Sequence, residues 1–338
     1  MRILLATDAW APQVNGVVMT LRNTIRGLEN IGHVVEVIGP DRFRSVPCPT
    51  YPEIRLALSP FSRFADLAKR FAPDAVHIAT EGPLGLAARK FCLREGLGFT
   101  TAYHTRFPEY VHARVRLPVH WTYAWLRWFH APAKAMMVAT QAIRTDLERR
   151  GFRNLVMWTR GVDTALFRPG PHLATGWTRP VFMYVGRVAV EKNIEAFLSL
   201  DLPGTKVVVG DGPQRVALER RFPAAVFTGA KMGEELAAHF RSADVFVFPS
   251  RTDTFGLVLL EAMASGTPAA AFPVTGPIDV VVQGKSGVLS NDLRAAALAA
   301  LTLRRDVVRQ HSLHFSWERA TTQFLDNLHP NNASPRFA

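Results

Sequence analysis

The segment GRVAVEKN, residues 186–193, places two cations just after an apolar run that predicts a strand. Gly186 allows the backbone to turn sharply there, and Arg187 and Lys192 then project from the strand end. Two cations at such a place suit a diphosphate, because guanidinium and ammonium groups both bind phosphate oxygens. An ordinary charged surface loop explains the octapeptide alone about as well, so the interpretation depends on its neighbours.

A second glycine-rich turn, GDGP, follows the next predicted strand. Gly210 and Gly212 permit a close approach of the backbone to a ligand, although a generic tight turn is an equally good explanation. The tetrapeptide differs from the GxGxxG fingerprint of dinucleotide-binding folds, and the first strand–helix turn of the chain also lacks that fingerprint.

The third segment, PSRTDTFGLVLLEAMASGTP, covers residues 249–268 and again follows a predicted strand. A helix is predicted to begin near Phe255–Gly256, and the amides at its start carry the partial positive charge that suits a phosphate. Asp253 and Glu261, eight residues apart, are carboxylates that accept hydrogen bonds from polyols such as sugars. Three such segments in one half of the chain favour a binding site over unrelated surface features.

The elements that must position these residues alternate along the whole chain. The first predicted elements are a strand at 2–7, a helix at 17–31 closed by Gly32, and a strand at 34–39. Strands alternating with helices predict parallel sheets covered by helices on both faces.

The predicted fold class is therefore α/β, with two doubly wound, Rossmann-like domains facing a central cleft. The first domain is predicted at residues 1–165 and the second at 181–315. Residues 166–180 form a linker, because the stretch 160–180 is rich in proline and glycine. A helix within 316–330 is expected to cross back to the first domain. In such sheets ligands bind beyond the carboxyl ends of the strands, so the cleft is the expected site.

Composition limits the class of protein. The chain has 338 residues, long enough for two domains. No apolar run approaches the roughly 20 residues of a membrane span, and the first residues lack the features of a secretory signal. Cys48 and Cys92 alone form neither a disulfide framework nor a four-ligand zinc set. A cytoplasmic setting is expected.

The net charge of +12 is concentrated in the first half. Residues 1–170 hold 23 Lys and Arg against 13 Asp and Glu, whereas residues 171–338 hold 17 against 15. A one-sided positive field attracts nucleic acid, an anionic lipid surface or a phosphorylated ligand, and a generally arginine-rich surface is the simpler alternative. Nucleic acid is disfavoured, since no helix-turn-helix, zinc-finger or RNP pattern is present and the phosphate-binding candidates lie in the nearly neutral half.

The stretch 106–130 interleaves cations with aromatic rings, a composition typical of a membrane-interface surface. A helix whose rings face the core is the alternative. The candidates for contact with an acceptor or a membrane are Arg106, Tyr110, Arg114, Arg116, Trp121, Trp125, Arg127 and Trp128.

These motifs resemble those of the GT-B-fold retaining glycosyltransferases of family 4. GRVAVEKN, GDGP and the acids of DTFGLVLLE match the donor half of that family. NGV at 15–17, YHTRFPEY at 103–110 and GVDTALFRP at 161–169 also match, so the resemblance covers nearly the whole chain.

The resemblance implies a role for each matching residue. Arg187 and Lys192 would hold the diphosphate of a nucleotide sugar, Asp253 would contact the donor sugar, and Glu261 the ribose. Asp253 departs from the family's E-x7-E motif, which usually has Glu there, and this leaves the donor sugar open. His104 would face the transferred sugar. The remaining donor-binding candidates are Gly16, Gly186, Gly210, Gly212, Thr254, Phe255, Gly256 and Leu257.

The implied activity is transfer of a hexosyl unit from a UDP- or GDP-linked sugar with retention of configuration. No cofactor and no metal are expected, because no D-x-D motif is present. The resemblance is strongest to lipid-directed members, namely bacterial mannosyl- and glucuronosyltransferases and sulfoquinovosyl-diacylglycerol synthases. It implies a lipid acceptor such as diacylglycerol, ceramide or a glycolipid, and a protein held peripherally at the inner face of the cytoplasmic membrane. A soluble transferase making polysaccharide or small glycosides, a sugar-nucleotide epimerase and a nucleic-acid-binding protein are the alternatives.

Overall fold

The computed structural model describes residues 1–13, 15–48, 51–109 and 116–331, with the backbone alone for 51–53. The chain forms two compact units. The first consists of Met1–Thr159 together with Trp317–Ala338, and the second of Arg160–Ser316. The division therefore falls before residue 165, and residues 166–180 belong to the second unit.

The first unit contains a six-stranded parallel sheet and a separate antiparallel hairpin of β3 and β4. The sheet order is β2-β1-β5-β6-β7-β8. Strands β5, β6 and β7 are buried along their whole length, as expected of parallel strands covered on both faces. The strands are β1 (Arg2–Ala6), β2 (Val34–Ile38), β3 (Ser45–Cys48), β4 (Tyr51–Ala57), β5 (Ala75–Ile78), β6 (Thr100–Tyr103), β7 (Ala135–Val138) and β8 (Leu155–Met157).

The first helix of the first unit begins and ends at recognisable capping residues. At the start of the first helix, the Asn15 side chain accepts hydrogen bonds from the amides of Val17 and Val18, each at 3.0 Å. At its end, Gly32 has a φ of 85° and its amide donates to the Glu29 carbonyl, as the sequence predicts. The helices are α1 (Gly16–Asn30), α2 (Phe61–Phe71), α3 (Pro83–Glu95), α4 (Val119–His130), α5 (Gln141–Arg149) and α13 (Trp317–Asn327).

Helix α13 packs against α1 within the first unit. The two backbones approach closely because Gly27 has no side chain, and a Cβ there would lie 2.3 Å from the Thr321 hydroxyl. Phe324 of α13 is fully buried, with its ring centroid 4.8 Å from that of Trp158. The last helix is thus part of the first unit's core.

The second unit contains a six-stranded sheet in which every pairing is parallel. The strand order is β11-β10-β9-β12-β13-β14, so the order reverses direction between β9 and β12. Strands β9 and β12 are buried throughout. The strands are β9 (Val181–Val185), β10 (Thr205–Val209), β11 (Val226–Gly229), β12 (Val245–Phe248), β13 (Ala269–Ala271) and β14 (Gly287–Leu289).

Helices cover both faces of this second sheet, as a doubly wound fold requires. Their bounds are α6 (Ile194–Leu198), α7 (Arg215–Arg221), α8 (Gly233–Ser242), α9 (Leu257–Ala264), α10 (Pro277–Val280), α11 (Leu293–Ala300) and α12 (Arg305–Ser312). Within the described ranges, no helix of either unit combines the length and apolar character needed to cross a membrane.

Candidate functional site

The three glycine-containing motifs of the second unit meet at one edge of its sheet. Strand β9 lies between β10 and β12, and the carboxyl ends of these strands lead into Gly186, Gly210 and Pro249. The strand order reverses between β9 and β12, which is where open α/β sheets bind their ligands. The sheet therefore brings the predicted donor-binding segments together.

The first two loops lie directly against each other, and this contact requires glycine. A Cβ on Gly210 would lie 1.8 Å from the Gly186 carbonyl oxygen, and a Cβ on Gly212 would lie 2.4 Å from that of Val188. The Val188 amide donates to the Asp211 carbonyl at 2.8 Å, which joins the loops further. GDGP is therefore part of one backbone framework with GRVAVEKN rather than an independent turn.

The loop after β9 is also fastened to the loop after β12. Asn193 adopts a φ of 52°, and its side-chain amide donates to the Pro249 carbonyl at 3.0 Å. The hydroxyls of Ser250 and Thr252 each lie 3.4 Å from the Glu191 carbonyl, to which they donate. Sequence reasoning missed these positioning contacts, because they join residues about sixty positions apart.

Lys192 and Asp253 form an ion pair across the two loops. The Lys192 ammonium donates to Oδ1 of Asp253 at 2.5 Å, and the two side chains are only 21% and 17% exposed. The other carboxylate oxygen, Oδ2, is buried and has no hydrogen-bond partner in the described part of the chain. Asp253 thus fixes the direction of the ammonium, and its second oxygen keeps unused capacity to accept a hydrogen bond.

Arg187, in the same loop as Lys192, is half-buried, and Tyr184 holds its backbone in place. The Tyr184 hydroxyl donates to the Arg187 carbonyl at 2.8 Å. It passes through space that a side chain on Gly186 would occupy, since a Cβ there would lie 2.8 Å from that hydroxyl. Gly186 is therefore needed both for its φ of 146° and for the contact that positions Arg187.

Helix α9 begins at the same edge of the sheet. Gly256 precedes it with a φ of 85°, and no side chain caps the helix start. Phe255 is buried, whereas Thr254 and Leu257 are half-buried. The start of α9 thus offers main-chain donors just after Asp253 in the chain.

Glu261 lies within α9 and is half-buried. Desolvation raises the pKa of its carboxyl group to about 7. Within the described residues its side chain makes no hydrogen bond or ion pair that would favour the charged form. With this pKa the carboxyl group is partly ionised at neutral pH, and its ionised form accepts hydrogen bonds from a ligand's hydroxyl groups, which is the chemistry that the sequence predicts for it.

Two predicted site residues belong to the first unit. His104 directly follows strand β6, and its ring meets that of Trp158 edge-on with centroids 5.5 Å apart. Gly16 is the exposed first residue of α1, next to the capping residue Asn15. Their functional roles remain predictions.

The aromatic stretch 106–130 is divided between core and surface. Tyr123 and Phe129 on α4 are buried, as the alternative interpretation of this stretch required. Trp121 and Trp128 are 65% and 51% exposed. Trp125 is half-buried against the ring of Phe129, with centroids 5.9 Å apart.

The cations of this stretch also differ. Arg106 is only 17% exposed and pairs with Glu109 at 3.7 Å and with Asp146 at 3.5 Å, so its charge is used inside the unit. Arg127 donates to the Arg150 carbonyl at 3.2 Å. Arg116 is exposed. Tyr110 and Arg114 lie outside the described residues. The exposed tryptophans, rather than Arg106, are therefore available to an external surface.

Across the described ranges, no three His, Cys, Asp or Glu side chains are grouped so that they could hold a metal ion. The polar groups at the edge of the second sheet instead form a set of cations, main-chain amides and hydrogen-bond acceptors. Such a set binds phosphate and hydroxyl groups directly.

The fold has clear structural relatives. Sucrose-phosphate synthase from Thermosynechococcus elongatus superposes with a TM-score of 0.73 at 19% identity, covering 96% of this chain and 97% of that one. The architecture of two Rossmann-like halves is that of the GT-B glycosyltransferases, which confirms the predicted fold class.

Sequence comparison identifies the family. The model of Glycosyltransferase Family 4 matches residues 14–166, and that of Glycosyl transferases group 1 matches residues 179–306. A sulfoquinovosyl transferase from Arabidopsis thaliana is 32% identical, over 92% of this chain and 69% of the relative. A GDP-mannose-dependent alpha-mannosyltransferase from Mycobacterium tuberculosis is also 32% identical, over 85% and 83%. An alpha-monoglucosyldiacylglycerol synthase from Streptococcus pneumoniae is 28% identical, over 93% and 81%.

The chain therefore belongs to the family 4 glycosyltransferases. It is an enzyme that transfers a hexosyl unit.

Proposed function

We propose that this enzyme moves a hexosyl unit from a UDP- or GDP-linked sugar to a membrane lipid acceptor, with retention of anomeric configuration and without a metal ion. The proposal is supported most directly by relatives whose names denote sulfoquinovosyl transfer and glucosyldiacylglycerol synthesis. The exposed tryptophans of α4 and the positive charge of the first half fit the same acceptor class.

On the donor side, Arg187 and Lys192 bind the diphosphate. As the bond to the sugar breaks, negative charge grows on the leaving nucleoside diphosphate, and both cations and the amides at the start of α9 stabilise it. Lys192 is already directed by Asp253, so little reorganisation accompanies the reaction. A phosphate oxygen of the leaving group takes the acceptor's proton in this proposal.

The sugar and ribose contacts are assigned to the two acids. Asp253 accepts a hydroxyl hydrogen bond through Oδ2, the oxygen that Lys192 leaves available. Glu261 accepts hydrogen bonds from the ribose hydroxyls and does so best when ionised. His104 contributes to turnover at the transferred sugar, as in the family that the chain resembles.

The location that follows is peripheral, at the inner face of the cytoplasmic membrane. At that place the enzyme reaches both a water-soluble donor and a lipid acceptor. A soluble transferase making polysaccharide or small glycosides would use the same donor chemistry, so the acceptor is what the experiments must decide.

The first experiment is a thermal-shift panel of UDP- and GDP-linked hexoses. A bound donor raises the apparent stability by mass action, by about 2.7 kcal/mol at a hundred times its dissociation constant. The donor so identified is then incubated with diacylglycerol, ceramide and glycolipids, with and without chelator, and the product's anomeric configuration is determined by NMR. Loss of turnover in chelator, inversion of configuration, or transfer only to soluble sugars would each overturn the matching part of the proposal.

A further inference from the structure

An open groove of about 700 Å³ lies on the first unit between helices α3 and α4. It is lined by Leu86, Arg89, Lys90, Leu93, Arg94 and Trp128. All but the last belong to α3, where sequence reasoning assigned no functional residue.

Part of the groove's lining is apolar side-chain surface that is exposed to water. Leu86, Leu93 and Trp128 are 37%, 49% and 51% exposed. The surface continues along α4 through Trp121, which is 65% exposed, and through the exposed Ala124. Residues 121, 124 and 128 share one face of the helix. A continuous exposed apolar surface of this kind usually marks an interaction site.

The same groove is positively charged. The Arg89 guanidinium lies 4.0 Å from the centroid of the Trp128 ring and donates to the carbonyls of Trp128 and Phe129, each at 3.0 Å. These contacts hold Trp128 in place, so its exposed ring keeps a fixed position in the groove. Lys90 and Arg94 are exposed beside it.

No carboxylate balances these cations inside the groove, whose lining contains none. Helix α4 has no acidic residue. The one acid of α3, Glu95, pairs with Lys69 at 3.3 Å. An occupant of the groove must therefore combine negative charge with apolar surface.

We propose that this groove docks the enzyme on a bilayer containing anionic phospholipid. Trp128 and the two leucines enter the headgroup boundary, while Lys90 and Arg94 bind lipid phosphates. An exposed tryptophan among aliphatic side chains and cations matches the layered chemistry of that boundary. The inference deepens the proposed function and rests on it for the presence of a membrane acceptor, but it assigns the docking to residues that differ from the donor site.

The test measures sedimentation of the full-length protein with sucrose-loaded vesicles of phosphatidylcholine and phosphatidylglycerol in equal parts. The variant Lys90→Glu/Arg94→Glu is expected to lose at least about 25-fold in partition, from about fivefold for each cation lost. Leu93→Ser leaves the charge unchanged and is expected to lose about fivefold. Raised salt should weaken wild-type binding and affect the charge variant little.

The matched control is Arg26→Glu/Arg153→Glu, which makes the same change in net charge at two exposed positions of the first unit outside the groove. It should lose less than about threefold, since only cations near the bilayer surface contribute. Equal losses of partition in this control and in Lys90→Glu/Arg94→Glu, the groove variant, would overturn the proposal. A groove variant that partitions as well as the wild type would also overturn it, and this is the outcome expected if an acidic protein were the occupant.

Transfer to a short-chain acceptor that dissolves without vesicles separates the two proposals. The groove variant should keep wild-type turnover there, which also shows that it is folded. Vesicle binding that depends on the groove, combined with no transfer to any lipid, would support docking and refute the proposed acceptor. If the enzyme transfers sugar to lipid but the groove variant binds vesicles as well as the wild type, the proposed acceptor is supported and docking through the groove is refuted.

Discussion

Glu261 is expected to destabilise the folded enzyme at neutral and higher pH. Desolvation raises its pKa from 4.5 to about 7. Between these values the folded state binds more protons than the unfolded state, so the free energy of unfolding falls as the pH rises through this window. Below 4.5 the effect is absent, and above 7 it is complete. Each pKa unit corresponds to about 1.4 kcal/mol, so the effect between pH 5 and pH 8 is about 2 to 3 kcal/mol.

Glu261→Gln removes the ionisation and should therefore stabilise the enzyme relative to wild type at pH 8 more than at pH 5, by this amount. Urea unfolding at both pH values measures the difference. Asp201→Asn is the control, because the Asp201 side chain is 99% exposed and its removal should shift stability equally at both pH values.

The same carboxyl group should connect donor affinity to pH. Ribose hydroxyls donate to a carboxylate better than to a protonated acid, so the wild-type KM for the donor should rise as the pH falls below about 7. Glu261→Gln should have a high, pH-independent KM. Parallel stability curves for wild type and variant across the whole range, or an unchanged donor KM, would refute the reasoning.

Three further predictions concern Lys192, Asp253 and His104. Lys192→Ala should lower kcat by about 10² to 10³-fold, since it removes charge stabilisation of the leaving group; a variant that changes only KM would contradict that role. Asp253→Glu should keep the ion pair with Lys192 and change the ratio of kcat/KM values among UDP- and GDP-hexoses, so an unchanged ratio would show that this side chain does not select the donor. His104→Ala should lower turnover about tenfold to a hundredfold in protein that remains folded, and near-normal turnover in a coupled assay would exclude the role.

Much of the architecture follows from the sequence, because buried parallel strands are short apolar runs with glycine or proline at their ends. Strands β1 and β2 each end one residue before their predicted ends, and α1 differs from its prediction by one residue at each end. The hairpin of β3 and β4 was missed, since both of its strands contain proline, which argues against a strand. The elements between β13 and α13 were also not predicted. In α11, one of these elements, the apolar positions are mostly alanine and give a weak periodic pattern.

The donor-binding loops of the second unit could be predicted because each follows a strand, and the strand ends of a parallel sheet share one edge. The contacts that position them could not. The bond from Asn193 to the Pro249 carbonyl joins loops whose spacing only the folded sheet determines. Likewise, 106–130 has one composition but two environments, since helical geometry places Tyr123 in the core and Trp121 in solvent. The Arg106 side chain pairs with Asp146, forty positions away, and no local sequence pattern reveals that pairing.

The packing of α13 on α1 has a consequence for synthesis. The second unit is one continuous piece of chain, whereas the first unit is completed only by residues that follow it. During translation, the face of α1 around Gly27 therefore stays uncovered while the whole second unit is made and is free to fold. If translation stops before Trp317, this face of α1 stays uncovered. The truncated chain then exposes apolar surface beside a sheet that is otherwise complete.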